Sequence, residues 1–110
     1  MLLCYDAPSA WREAGPEALR DARAEASALA RQLGDAGLYV DASPLHPTDV
    51  ATSVRVREGR REVTDGPFAE TVEQLSGYFL LDAPSLDAIV GLMRGLPGGI
   101  VEVRAVAVQT

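Results

Sequence analysis

The spacing of apolar residues predicts two amphipathic helices. From Pro16, a residue suited to a first helical turn, apolar positions recur at helical intervals up to Leu33, and Gly37 fits a left-handed stop. This stripe comprises Leu19, Ala22, Ala26, Leu29, Ala30 and Leu33. A second helix is predicted between Ser85, its N-cap, and the breaker Pro97-Gly98-Gly99. Its expected buried stripe comprises Leu86, Ile89, Val90, Met93 and Leu96.

Short apolar runs bounded by turn residues predict four strands around these helices. The runs cover 1–5, 38–42, 76–81 and 100–108. The run that begins at Ser76 is expected to be a central strand covered on both faces. Pro44 and Pro47 exclude a regular central strand where they lie, because proline cannot donate a ladder hydrogen bond. Residues 10–13 are expected to form a single helical turn after the first strand.

Residues 50–64 predict a β-hairpin. Apolar and polar residues alternate strictly from Val50 to Arg57, and Glu58-Gly59 is typical of a two-residue turn before a returning strand. That turn length fixes the register and puts two cross-strand pairs on opposite faces: Val54 with Val63, and Arg55 with Glu62. The order of elements then predicts one α+β domain over residues 1–110, a ferredoxin-like βαββαβ sandwich with an inserted β-hairpin.

The segment Asp65-Gly66-Pro67-Phe68 predicts a shaped turn between the hairpin and the next strand. The proline pushes Gly66 towards an extended conformation and has no N–H group of its own. Asp65 has two possible roles. Its carboxylate either acts as a general base, or it accepts backbone N–H groups from Phe68 or Ala69 while Pro67 opens a short helical turn.

Composition narrows the classes of function. The net charge is −6, and all ten basic residues are arginine. The absence of lysine excludes lysine Schiff-base chemistry, and the acidic balance disfavours nucleic acid as a direct partner. One cysteine, Cys4, allows no internal disulfide and fits a small buried core residue. No pattern typical of a signal peptide or membrane span is present, so a cytoplasmic protein without membrane contact is expected.

Several longer motifs together resemble the YCII-related family, and more specifically its Asp-Gly-Pro-Phe (DGPF) branch. They are the stretch 63–71, Glu73-Gln74-Leu75, Gly77-Tyr78, Asp82-Ala83-Pro84 and 101–104. The resemblance implies a ferredoxin-like chain that pairs into a dimeric α+β barrel, with small-molecule clefts between sheet and helices. It also implies association with a sigma factor in a regulatory setting, while the family's own role is largely unassigned.

This chain departs from the family pattern at two positions near the motif. Val72 stands where members often have lysine, and Ser76 stands where they often have glycine. The histidine–aspartate pair suggested for other YCII relatives has no counterpart here, because the one histidine, His46, lies in a Leu-His-Pro context.

The candidate site residues follow from these observations. Asp65 and His46 are the candidate catalytic residues, with His46 otherwise expected as a loop residue at the solvent edge. The candidate ligand-binding residues are Tyr78, Arg55 and Tyr5, and Trp11 is expected to cap the cleft or the edge of the core. No metal or cofactor is expected, because neither zinc-ligand spacing nor a phosphate-binding glycine motif occurs.

Three functions remain open at this point. The first is a homodimer that binds a small organic molecule in a cleft between sheet and helices. The second is a cofactor-free enzyme that uses Asp65 for proton transfer. The third is an interaction module that modulates a sigma factor.

Overall fold

The computed structural model describes residues 1–92 and 99–107 and shows an α+β fold with antiparallel sheets. The strands are β1 (Leu2–Asp6), β2 (Tyr39–Pro44), β3 (Thr52–Arg57), β4 (Arg60–Asp65), β5 (Gln74–Leu81) and β6 (Ile100–Val103). The helices are α1 (Pro8–Ala14), α2 (Pro16–Asp35) and α3 (Leu86–Leu92), and a 3₁₀ turn covers Thr48–Val50. A four-stranded sheet has the order β2-β5-β1-β6, which is compatible with a ferredoxin-like fold.

The core lies between one face of this sheet and the helices. Leu2, Phe79, Leu29 and Leu33 form its buried centre, and Ile89 of α3 packs beside them. Helix α2 ends as the sequence predicts: Gly37 has φ +76°, and the N–H of Leu38 donates to the carbonyl of Leu33 at 2.9 Å. The Ser85 cap is also confirmed, because its Oγ accepts the Ala88 N–H at 3.2 Å.

The opposite face of the four-stranded sheet, here called the open face, is not covered by the described part of the chain. Successive side chains of a strand point to opposite faces of the sheet, so the residues next in sequence to buried Leu2 and Phe79 point to the open face. The open face carries Leu3, Tyr78, Leu80, Ile100, Asp41 and Glu102. The expectation of a central strand covered on both faces is therefore wrong within this chain, since the second face of β5 stays partly exposed.

Strands β3 and β4 form a separate two-stranded sheet, here called the arm (Thr52–Asp65). The predicted register is confirmed, with Val54 opposite Val63 and Arg55 opposite Glu62. Arg55 and Glu62 are cross-strand neighbours of opposite charge, but the ion pair of Glu62 is formed with Arg57: its carboxylate lies 4.0 Å from that guanidinium, diagonally across the arm. Nearly every residue of the arm is exposed.

Other predicted boundaries need correction. Helix α1 is longer than the single turn predicted at 10–13, and Val50 belongs to the 3₁₀ turn instead of β3. Leu86 and Val90 are exposed, because the buried side of α3 is formed by Ile89 and Leu92. Strand β6 ends at Val103 instead of Val108. Met93, Leu96, the break at Pro97-Gly98 and Val108 lie outside the described residues.

Candidate functional site

A cleft between α1 and α2 lies at the end of the sheet where β1 finishes. This α1–α2 cleft has a volume of about 590 Å³, within the range of small-molecule sites. Its walls are largely apolar, formed by Trp11 and by five alanines, Ala7, Ala10, Ala14, Ala18 and Ala22. Four carboxylate residues also line it: Asp6, Asp21, Glu25 and Glu73. Small alanine side chains on facing helices leave the space that longer side chains would fill.

The position of Trp11 in this cleft is fixed by a hydrogen bond. Its indole N–H donates to Oδ2 of Asp6 at 2.7 Å, in a partly buried setting. Asp6 ends β1 and Trp11 lies in α1, so the bond ties the helix to the sheet across the break at Ala7-Pro8. The other carboxylate oxygen of Asp6 accepts no hydrogen bond from the described residues, so it remains able to receive a ligand donor.

The charge of the cleft favours a cationic group. Among the described residues that line it, four carry carboxylates and none is an arginine. A cation placed over the face of an indole ring is attracted by the ring quadrupole, and tryptophan is the strongest of the aromatic side chains in this respect. The cleft therefore combines apolar walls with groups that attract positive charge.

A second, smaller cleft of about 220 Å³ lies at the base of the arm. It is lined by Ser53, Val54, Arg55, Glu62, Thr64, Pro67 and Phe68. Of the three predicted ligand-binding residues, Arg55 lines this smaller cleft, and Tyr78 and Tyr5 line neither of the two. The Phe68 ring is 85% exposed, so this cleft offers little enclosed apolar surface.

The turn at Asp65-Gly66-Pro67-Phe68 is held by backbone groups and by one serine. Gly66 has φ +95°, its N–H donates to the Ala51 carbonyl at 2.7 Å, and its carbonyl accepts the Ser53 hydroxyl at 2.7 Å. Residues 66–73 contain no helix, so the expected helical turn at Pro67 is wrong. The side-chain amide of Gln74 closes the following loop by donating to the carbonyls of Ala69 and Thr71.

The two candidate catalytic residues are not brought into contact. Asp65 is exposed at the end of β4, and its carboxylate accepts no hydrogen bond from any described residue, including the N–H groups of Phe68 and Ala69. His46 is exposed and has no hydrogen bond or ion pair within the described residues. Neither residue lines either of the two clefts described above, and proton transfer by Asp65 stays a prediction.

Tyr78 and Tyr5 lie away from the α1–α2 cleft lining. Tyr78 donates from its hydroxyl to Oδ2 of Asp41 at 2.8 Å on the open face. This hydrogen bond raises the pKa of Tyr78. Tyr5 is half-buried and sits opposite Ile100 in the ladder. Cys4 packs against the core, and burial raises the pKa of its thiol, as expected for an unreactive structural cysteine.

The described residues contain no group of three or more potential ligands that could hold a metal ion. Among the described helices, none has the length and apolar character needed to cross a membrane.

Sequence reasoning missed the pairing of Asp6 with Trp11 and the role of Gln74. The pairing of Asp6 with Trp11 was only weakly indicated by the sequence, where an acid and a tryptophan flank Ala7-Pro8 at the end of a predicted strand. The role of Gln74 was not indicated by the sequence beyond its polar side chain, because its hydrogen-bond partners depend on the path of the loop before β5.

Two comparisons place this architecture among known proteins. A family model described as the YCII-related domain matches residues 1–108. An uncharacterized protein of Rhizobium meliloti (strain 1021) is 38% identical over an alignment 115 residues long. The alignment covers 96% of this chain and 90% of that protein. Because the family model spans nearly the whole chain and the relative aligns over nearly the same extent, the chain belongs to the YCII-related domain family.

Proposed function

We propose that this chain is a small cytoplasmic homodimeric protein that binds a small organic molecule in the α1–α2 cleft. The observation that supports this most is the cleft itself: about 590 Å³, walled by alanines and Trp11, at the junction of helices and sheet. The carboxylates around it favour a ligand with an apolar body and a cationic group. The proposal moves the ligand site away from Tyr78, Arg55 and Tyr5 to residues on α1, α2 and the end of β1.

Trp11 makes the proposal directly testable, because it is the chain's single tryptophan. Its fluorescence reports on the cleft and on no other indole. We expect arylalkylamines, which are cationic at neutral pH, to change this fluorescence in a saturable way, and carboxylates of the same carbon skeleton to bind more weakly. Equal binding of the amines and the matched carboxylates would contradict the cationic preference, while no response to either would contradict the site.

A pair of matched variants separates cleft binding from surface binding. Ala18→Leu fills the cleft from α2 without a loss of helix propensity, and we expect it to weaken amine binding at least about tenfold. Ala24→Leu makes the same change at an exposed position of α2 that does not line the cleft. If both variants bind the amines as the unmodified protein does, the α1–α2 cleft is not the site.

The homodimer in this proposal is supported by the open face. One face of the four-stranded sheet lacks a cover within the described residues, and the family resemblance implies a dimeric α+β barrel that would cover it. Association with a sigma factor rests on that resemblance alone and stays a prediction.

A further inference from the structure

The smaller cleft at the base of the arm, here called the arm cleft, lies on one face of the arm. Side chains alternate along β3 and β4, so one face, here called the polar face, carries Ser53, Arg55, Arg57, Arg60, Glu62 and Thr64. Four of these line the arm cleft: Ser53, Arg55, Glu62 and Thr64. Its volume of about 220 Å³ is below the roughly 300 Å³ at which sites for drug-sized ligands begin. The arm cleft is therefore suited to a small molecule.

The turn that follows β4 forms the other wall of the arm cleft. The Ser53 side chain lies on the polar face, and its hydroxyl donates to the Gly66 carbonyl at 2.7 Å. This bond holds the turn against the polar face, where Pro67 and Phe68 line the cleft. Asp65 lies on the opposite face of the arm. The turn thus contributes its proline and its ring to the cleft, and not its carboxylate.

Two opposite charges stand side by side in the arm cleft without pairing with each other. Arg55 and Glu62 are cross-strand neighbours. Within the described residues, the Arg55 guanidinium and the Thr64 hydroxyl have no hydrogen-bond partner. The Glu62 carboxylate lies 4.0 Å from Arg57, which is longer than a hydrogen bond. The donors and the acceptor of the arm cleft are therefore available to a ligand.

This arrangement fits a molecule that carries a carboxylate and an ammonium group close together. A guanidinium binds a carboxylate through two parallel N–H···O bonds, and a carboxylate such as that of Glu62 accepts from an ammonium group. A ligand with only one of these charges would be repelled by Arg55 or by Glu62. An α-amino acid carries both charges on one carbon atom. Its net charge of zero also avoids repulsion by a chain of net charge −6.

The rim of the arm cleft favours an apolar side chain on this amino acid. Phe68 is 85% exposed, and Pro67 precedes it in the lining. Because Phe68 and Arg55 line one small cleft, an amino acid bound through its charged groups has its side chain within reach of the ring. Contact with the ring removes apolar surface of both molecules from water.

We propose that the arm cleft binds an apolar α-amino acid. Its carboxylate lies on Arg55 and Thr64, its ammonium group on Glu62, and its side chain against Phe68. The arm cleft and the α1–α2 cleft share no lining residue, so this inference goes beyond the function proposed above. It gives the Asp-Gly-Pro-Phe turn a part in ligand binding that requires no chemistry at Asp65.

Three ligands of one carbon skeleton test the two charges. L-Leucine carries both groups, N-acetyl-L-leucine only the carboxylate, and L-leucinamide only the ammonium group. We expect L-leucine to shift the backbone amide resonances of Ser53, Thr64 and Phe68 in a saturable way in ¹⁵N NMR titrations. We expect it to bind at least about fivefold more tightly than either analogue, because each analogue leaves one charge-assisted hydrogen bond unmade. Equal binding of an analogue, or no saturable shift with L-leucine, would overturn the inference.

Matched variants at exposed positions test the charged partners. Arg55→Gln removes the guanidinium in the arm cleft, and Arg60→Gln makes the same change on the polar face outside it. We expect Arg55→Gln to weaken L-leucine binding at least about fivefold and Arg60→Gln to leave it unchanged. Glu62→Gln is expected to remove the preference for L-leucine over N-acetyl-L-leucine. Unchanged binding in Arg55→Gln, or a preference kept in Glu62→Gln, would contradict the assigned contacts.

Glycine separates the contact with the ring from the contacts with the charges. We expect Phe68→Ala to weaken L-leucine binding and to leave glycine binding as it is in the unmodified protein. An equal loss for both amino acids would show that Phe68 holds the turn and does not contact the ligand side chain.

L-Leucinamide distinguishes this inference from the proposed function. As a cation with an apolar body it is suited to the α1–α2 cleft, where Trp11 fluorescence reports its binding. A response of Trp11 to amines, together with no L-leucine binding in the arm cleft, would overturn this inference alone. L-Leucine binding in the arm cleft, together with no response of Trp11 to any amine, would contradict the α1–α2 site alone.

Discussion

At the residue scale, the clearest local electrostatic arrangement is that of Tyr78 and Asp41. The phenol donates a hydrogen bond to the carboxylate on the neighbouring strand, and this bond raises the pKa of Tyr78 because ionisation would lose it and set two negative charges together. The folded state thus favours the neutral phenol. Its contribution to stability is present below the ordinary tyrosine pKa of about 10 and is lost as the pH rises through the higher folded pKa.

Replacing the carboxylate tests this arrangement. We expect Asp41→Asn to lower the pKa of Tyr78, because the amide oxygen still accepts the hydrogen bond and the negative charge is gone. Ultraviolet difference titration measures this in a Tyr5→Phe, Tyr39→Phe background, where Tyr78 is the sole tyrosine. Asp49→Asn, in the exposed 3₁₀ turn, is the control. An unchanged Tyr78 titration in Asp41→Asn would show that the charge has no role.

At the element scale, the turn at Asp65-Gly66-Pro67-Phe68 connects the arm to β5. The N–H of Gly66 donates to the Ala51 carbonyl, and the Gly66 carbonyl accepts the Ser53 hydroxyl. The turn therefore ties the end of β4 to the start of β3 at the base of the arm. The carboxylate of Asp65 takes no part in these contacts, as no described residue donates a hydrogen bond to it. The conformation of the turn therefore depends on the glycine and on Ser53.

We expect Gly66→Ala to lower the free energy of unfolding by about 1 kcal/mol or more, because φ of +95° is strained for a residue with a Cβ atom. Thermal melts measure the change. Gly34→Ala, in α2 with open space around the added methyl group, is expected to be neutral or stabilising. Asp65→Asn is expected to melt as the unmodified protein does, and a large loss there would show that the carboxylate holds the turn after all.

Elements defined by local chemistry could be predicted from the sequence, whereas contacts between distant segments could not. The register of the arm follows from the two-residue turn at Glu58-Gly59, and the end of α2 follows from Gly37. The exposure of Val90 could not be predicted, because periodicity marks an apolar stripe without showing how much of it the sheet covers. The α1–α2 cleft was missed for the same reason: Asp6 and Glu73 line it together although they are far apart in sequence.

At the scale of the whole molecule, the described chain is two layers thick and has a small core. Its extents are 45 × 45 × 18 Å. Within the described residues, the buried hydrophobic residues are Leu2, Ala22, Leu29, Leu33 and Phe79, and of these Leu2 and Leu33 are fully buried. Such a core offers limited stability to a chain of 110 residues. The homodimer proposed above gains further stability by covering apolar residues of the open face.

Linkage between folding and the proposed dimerisation predicts that the melting temperature rises with protein concentration. If folding and dimerisation are linked, mass action stabilises the folded chain as the concentration passes the dissociation constant. Scanning calorimetry over a hundredfold range of concentration measures the shift. A melting temperature independent of concentration in a protein that light scattering shows to be monomeric would mean that the small core alone is sufficient for stability.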